Sequence, residues 1–159
     1  MNKNDIIILR FYDMEKINIK LLNDKAILPT YGSADSAGAD LYACLDEPVT
    51  INPKESFLFH IGIALEIPKG YVGLVFARSG LATKKGLAPA NKVGVIDADY
   101  RGELMVPLFN QSNEPRVIEH GERIAQLVIV PFIAANWNVV DELGNTDRGD
   151  NGFGSTGRK

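Results

Sequence analysis

Two carboxylates one residue apart, Asp97 and Asp99, sit in the run NKVGVIDADYRGE, residues 91–103, just ahead of Tyr100. An aspartate held at the foot of a tight turn can take a proton from water, which is general-base chemistry. The Asp-Ala-Asp-Tyr-Arg-Gly run predicts a hairpin after a strand over residues 93–96, its backbone bent around a flat group. Taken alone, the same residues also fit an Asx-turn hairpin with no chemistry. In FARSGLA, residues 76–82, a strand ends in Arg78-Ser79-Gly80 and a short helix follows. Unpaired N–H groups at a helix start, with a hydroxyl and a guanidinium beside them, suit an anion; a serine-capped turn with a surface arginine is the plainer reading. In SADSAGADLYA, residues 33–43, small residues surround a carboxylate, Asp40, ahead of a short apolar run in what reads as a loop. That carboxylate either caps a turn or holds a water of a metal's shell.

The chain closes on RGDNGFGSTGRK, residues 148–159. So much glycine cannot repay the entropy of ordering the backbone, and the segment is expected to be a mobile arm beyond a domain of residues 1–147. Phe153 lies between glycines, with Arg148, Ser155, Thr156 and Arg158 around it. An aromatic ring for a base, with hydroxyls, guanidinium and backbone N–H for phosphates, suits a nucleotide.

The elements that must position these groups are strands. Phe57, Phe59, Ile61, Ile63, Leu65 and Ile67 recur at every second position, the pattern of one strand with a buried face. A turn at residues 68–70 leads to a returning strand over 71–77. Further strands are predicted at 6–12, 17–22, 49–51, 93–96, 104–109, 116–118, 123–132 and 136–140, with turn signals between them. Only residues 79–85 read as helical, with Ser79 as N-cap and Gly86 as the stop. Many short strands with short turns predict an all-β barrel or sandwich.

Composition bounds the partners. A chain of 159 residues with 45% hydrophobic and 23% charged residues fits one globular domain. A net charge of -3 argues against a nucleic-acid backbone as partner. The lone Cys44 forms no intrachain disulfide, and the apolar run at residues 6–9 is too short for a signal core or a membrane span. These features point to an intracellular protein: cytoplasmic in a bacterium, nuclear or cytosolic in a eukaryotic or viral setting. His60 and His120 show no metal-motif spacing.

In order, SAGADLYA (36–43), ARSGLA (77–82), VGVIDADYRGE (93–103), GERIAQL (121–127) and RGDNGFGSTG (148–157) resemble the five motifs of the trimeric dUTPases. The matches span about three-quarters of the chain, and five ordered motifs are far more specific than any one. The resemblance implies a jelly-roll β-barrel homotrimer whose active sites draw on more than one subunit. Its reaction would be the hydrolysis of dUTP to dUMP and pyrophosphate, which keeps uracil out of DNA and supplies dUMP for thymidylate synthesis. Asp97 matches the carboxylate that activates water against the α-phosphorus. Tyr100 matches the ring that lies on the deoxyribose and leaves no space for a 2′-hydroxyl, and Asn91 with the backbone after it matches the uracil reader. Arg78, Ser79 and Gly80 match the phosphate-binding turn, and Gln126 a further phosphate contact. In the arm, Phe153 would stack on uracil while Arg148, Ser155 and Thr156 meet the terminal phosphates. Asp40 matches a carboxylate that touches Mg²⁺ only through water, the triphosphate binding the ion directly. The family motif usually has two glycines before its phenylalanine, and here the first is Asn151, the non-glycine residue most tolerant of left-handed backbone angles.

Two other readings stand beside this one. The dCTP deaminases use a related barrel on a related substrate, although the IDADYRGE run and the GFGSTG arm fit the uracil-specific hydrolase better. A regulatory trimer that keeps the pocket but acts by contacting another protein is the reading from a different class.

Overall fold

The computed structural model describes residues 16–150 and residue 152. Twelve strands form among the described residues: β1 (Asn18–Leu21), β2 (Thr30–Tyr31), β3 (Ala39–Tyr42), β4 (Val49–Ile51), β5 (Ser56–His60), β6 (Ile63–Glu66), β7 (Tyr71–Phe76), β8 (Leu87–Pro89), β9 (Gly94–Ile96), β10 (Met105–Asn110), β11 (Arg116–Ile118) and β12 (Arg123–Pro131). The largest sheet runs β2-β3-β12-β7-β9, and a second runs β5-β10-β8. Two antiparallel pairs, β1-β6 and β11-β4, complete the fold. Every strand pairing is antiparallel. The result is the expected all-β, jelly-roll-like architecture.

The core lies between these layers because each contributes the apolar residues of one face. Leu41, Val75, Ile124 and Leu127 come from the five-stranded sheet; Phe59, Leu87, Val106 and Leu108 come from the three-stranded sheet. Ile51, Ile118, Ile63 and Leu65 of the two pairs close it. Removing such side chains from water contributes about 1.5–3 kcal/mol each, so this cluster dominates the stability of the frame. One polar residue enters it. Asn110 has no exposure, and its amide donates to the carbonyls of Ile51 (2.9 Å) and Glu114 (2.8 Å) while its Oδ1 accepts from the backbone N–H and hydroxyl of Ser112. Every hydrogen-bonding position of that buried amide is used, which is the condition for tolerating it.

Several expectations are corrected by the backbone. The period-two run at residues 57–67 is two strands in two sheets, because Gly62 takes a left-handed φ of 74° and turns the chain between β5, which pairs with β10, and β6, which pairs with β1. The helix at 79–85 is a short helical turn whose last part, Leu81–Lys85, has π-type geometry. Gly86, at φ 71°, ends it as expected, but the N-cap is Gly80 with no side-chain cap bond. Ser79 instead offers its carbonyl to the Thr83 hydroxyl at 2.6 Å. The stretch 93–103 is not a hairpin: β9 pairs with β7 and β10 with β5 and β8, so the turn between them carries the chain from one sheet to another. No strand forms over 136–140, where Trp137 and Val139 are almost wholly exposed. The short strands β2, β3 and β8 were not expected. The strand expected at residues 6–12 lies outside the described residues.

Candidate active site

Asp40, Gln126 and Arg78 meet because β3, β12 and β7 are neighbours. Gln126 on β12 stands opposite Asp40 on one side and Phe76 on the other, and residues facing each other across antiparallel strands share a face. Arg78 follows two residues past Phe76. Its Nε donates to Asp40 Oδ1 at 2.7 Å, and its Nη1 donates to the Arg123 carbonyl at 3.2 Å. Arg123 Nη1 donates to Asp40 Oδ2 at 3.1 Å. Asp40 is 8% exposed, a buried carboxylate held by two guanidiniums, and burial of a carboxylate is tolerable only with such partners. Two guanidiniums against one carboxylate leave one positive charge in excess.

These side chains line a cleft of about 470 Å³ together with Ser79, Gly80 and Ser36. Five of the residues assigned from the sequence to phosphates or to the Mg²⁺ shell, Asp40, Arg78, Ser79, Gly80 and Gln126, therefore fall in one place. Gln126 Nε2 donates to the Ala77 carbonyl at 3.0 Å, which uses one of the two N–H groups of that amide. Arg123 was not singled out from the sequence. Residues three apart on a regular strand face opposite sides, so Arg123 and Gln126 should not share a cleft. A register irregularity between Arg123 and Ala125 shifts the alternation and lets both reach it. The only sequence signal for Arg123 was its place inside GERIAQL.

A second cleft, of about 840 Å³, opens where β9 ends. Asp97, Ala98, Asp99 and Arg101 form one side and Val72, Val95 and Phe132 supply apolar wall. Asp97 is exposed, and its carbonyl accepts from the Tyr100 N–H at 3.1 Å, closing the turn. Arg101 Nη1 donates to the carbonyls of Ala98 (2.6 Å) and Tyr100 (3.0 Å), which stiffens the same turn from outside. Asn91 and Tyr100 are exposed and line neither of these two clefts.

The two clefts of one chain stand apart. Ile96, next to Asp97, pairs with Gly73 near the start of β7, whereas Arg78 lies past the far end of that strand. At about 3.3 Å per residue they are roughly 15–20 Å apart along the strand, too far for both to reach one phosphate. Arg148 lies in a turn over residues 147–150, where the Gly149 N–H donates to the Thr146 carbonyl at 3.1 Å. Phe153, Ser155 and Thr156 lie outside the described residues. Among the described residues no three His, Cys, Asp or Glu side chains gather as a metal cage, and no helix is long and apolar enough to cross a membrane.

The dUTPase family model matches residues 24–157. The chain is 47% identical over 146 residues to the deoxyuridine 5'-triphosphate nucleotidohydrolase of Burkholderia lata, a match covering 90% of this chain and 99% of that protein. It is 49% identical over 149 residues to the enzyme of the same name from Desulfitobacterium hafniense, covering 91% and 99%. Among solved structures, a variant of the dUTPase of Staphylococcus bacteriophage 80alpha with bound dUpNHpp superposes with a TM-score of 0.83 at 31% identity, covering 91% of this chain and 99% of that one. A variant of the S. aureus phage phi11 dUTPase, which coordinates a structural Mg(II) ion, gives 0.73 at 28% identity, covering 80% and 98%. With the family model matched over most of its length and close relatives covering about nine-tenths of it, the chain belongs to the dUTPase family.

Proposed function

We propose that the protein hydrolyses dUTP to dUMP and pyrophosphate, and that Asp97 is the general base. The carboxylate orients a water and takes its proton as the oxygen bonds to the α-phosphorus. The bond from that phosphorus to the α,β-bridging oxygen breaks, and pyrophosphate leaves with the bonding pair. The observation that carries this reading is the cationic cleft, where Arg78, Arg123, Ser79 and Gln126 converge on a space suited to a triphosphate. Its guanidiniums would stabilise charge that shifts toward the leaving group, so the work is positioning and electrostatics rather than covalent catalysis.

The separation of the two clefts supports an assembled site. One chain's Asp97 is too far from its own Arg78 to serve one nucleotide, so a second copy brings Asp97, Asn91 and Tyr100 to the first copy's phosphate cleft in a homotrimer. Asn91 and the backbone after it read uracil, and the Tyr100 ring lies against the deoxyribose. The arm of residues 148–159 closes the site, with Phe153 over the base and Arg148, Ser155 and Thr156 at the phosphates.

Mg²⁺ fits this donor set as an ion that arrives on the substrate. Asp40 is the lone carboxylate of the cleft, and both its oxygens already take hydrogen bonds, so it would reach the ion through water rather than as a direct ligand. When bound, Mg²⁺ neutralises phosphate charge and holds the triphosphate in one conformation. The lone cysteine and acidic balance support an intracellular setting and a free nucleotide, rather than nucleic acid, as substrate.

Hydrolysis of dUTP in ¹⁸O-water tests the reaction. The label is expected in dUMP; label in pyrophosphate would move the attack to the β-phosphorus, and intact dUTP would overturn the reading.

A further inference from the structure

The turn that carries Asp97 and Tyr100 is closed at its far end by contacts that the assigned roles do not use. Tyr100 folds back over Gly102, and its hydroxyl donates to the Glu103 carbonyl at 2.9 Å. A Cβ on residue 102 would stand 2.6 Å from Tyr100 Cζ and closer still to the hydroxyl, nearer than real Cβ atoms approach. Residue 102 is not in the left-handed region, so what excludes a side chain there is the tyrosine ring and not the backbone angle. Glu103 is in turn anchored from the neighbouring segment. Its Oε1 accepts from the Gly62 N–H at 2.9 Å, and its Oε2 is 2.8 Å from His60 Nδ1. Gly62 is the residue whose positive φ separates β5 from β6, so the carboxylate ties the turn to a fixed corner of the frame.

We propose that Gly102 and Glu103 are positioning residues that hold the Tyr100 ring at the height of the sugar and thereby set the preference for deoxyribose over ribose. The inference rests on the reading of Tyr100 given above. A 2′-hydroxyl is refused only if the ring cannot recede, because a wall that moves by an ångström makes room for one oxygen. The hydroxyl-to-carbonyl bond limits the ring's swing, the missing side chain at 102 lets it settle, and the Glu103 carboxylate keeps the accepting carbonyl in place. Selection against ribose is then a property of residues 100–103 with Gly62 and His60 behind them, and Glu103 acts without touching the nucleotide.

The ratio of kcat/KM for dUTP to that for UTP measures this directly. It would be read in Gly102→Ala, Glu103→Ala, Glu103→Gln, Tyr100→Phe and Tyr100→Ala, each checked for melting temperature and assembly size. Tyr100→Ala is expected to abolish most of the preference. Gly102→Ala and Glu103→Ala are expected to lower the ratio on the order of tenfold or more, mainly by raising activity on UTP. Glu103→Gln should keep much of it, since its amide oxygen still accepts from Gly62. If Tyr100→Ala destroys the preference while Gly102→Ala and Glu103→Ala leave it intact, the inference is overturned and the reading of Tyr100 survives. If Tyr100→Ala leaves the ratio unchanged, the reading of Tyr100 fails and the inference with it. Equal losses on both nucleotides would mean a purely structural role and also overturn it. Should Gly102→Ala not fold, Glu103→Ala and Tyr100→Phe decide, the latter removing only the tie to the carbonyl and expected to lower the ratio.

Discussion

At the residue scale, the chemistry concentrates on an exposed carboxylate and a buried one that have opposite duties. Asp97 meets solvent at the rim of its cleft, where it can hold and deprotonate a water. Asp40 is spent on Arg78 and Arg123, holding two guanidiniums where phosphates would sit. The difference predicts different mutants. Asp97→Asn keeps the shape and removes the base, so dUTP affinity should stay near wild type while turnover falls by about 10²–10⁴-fold, as binding by calorimetry and single-turnover kinetics would read. Near-normal turnover would remove Asp97 from the role. The types and order of these side chains were legible in the sequence because each sits in a motif with turn residues around it. Arg123 was not, since its aim depends on a register shift that no periodicity displays.

At the element scale, the pattern of apolar residues was a good guide to burial and a poor one to connectivity. Phe59, Ile61, Ile63 and Leu65 are buried as the period-two run implied, yet the run crosses from one sheet to another at Gly62. The apolar spacing in the sequence runs on through the corner, although residues 61–65 are all buried and Phe57 is exposed, so periodicity alone cannot reveal it; the glycine marks it. The missed strand β3 has the same kind of cause, for its small residues and lone aspartate look like a loop until Arg78 and Arg123 cover the aspartate. The converse error fell at residues 136–140, where an apolar run has no partner strand among the described residues. Gly62→Ala tests the corner. A Cβ there would lie 2.8 Å from Ala26 Cβ and 3.0 Å from Cys44 Sγ, on a residue at φ 74°. Left-handed strain and overpacking together should cost roughly 2–4 kcal/mol in urea unfolding. A change within about 0.5 kcal/mol would mean that the corner relaxes freely.

At the scale of the whole molecule, two clefts roughly 15–20 Å apart underlie the proposal that function belongs to an assembly. The sequence carried this only through its resemblance to a family, because which faces of two copies meet is not written in the periodicity of one. Mixing subunits separates the alternatives. Asp97→Asn and Arg78→Ala homotrimers should each be nearly inactive, but co-refolded at equal amounts they should regain activity in about a quarter of their sites, if subunits associate at random. No regain in mixed trimers of the right mass would mean that Asp97 and Arg78 serve a site from the same chain.

The central claim is the reaction itself and its choice of nucleotide. Pyrophosphate release with Mg²⁺, measured on dUTP, dTTP, dCTP and UTP side by side, tests it most directly. Turnover confined to dUTP is the predicted result. No release from dUTP by folded protein that still binds it would contradict the account and favour a regulatory trimer, and equal turnover of UTP or dCTP would contradict the roles given to Tyr100 and Asn91.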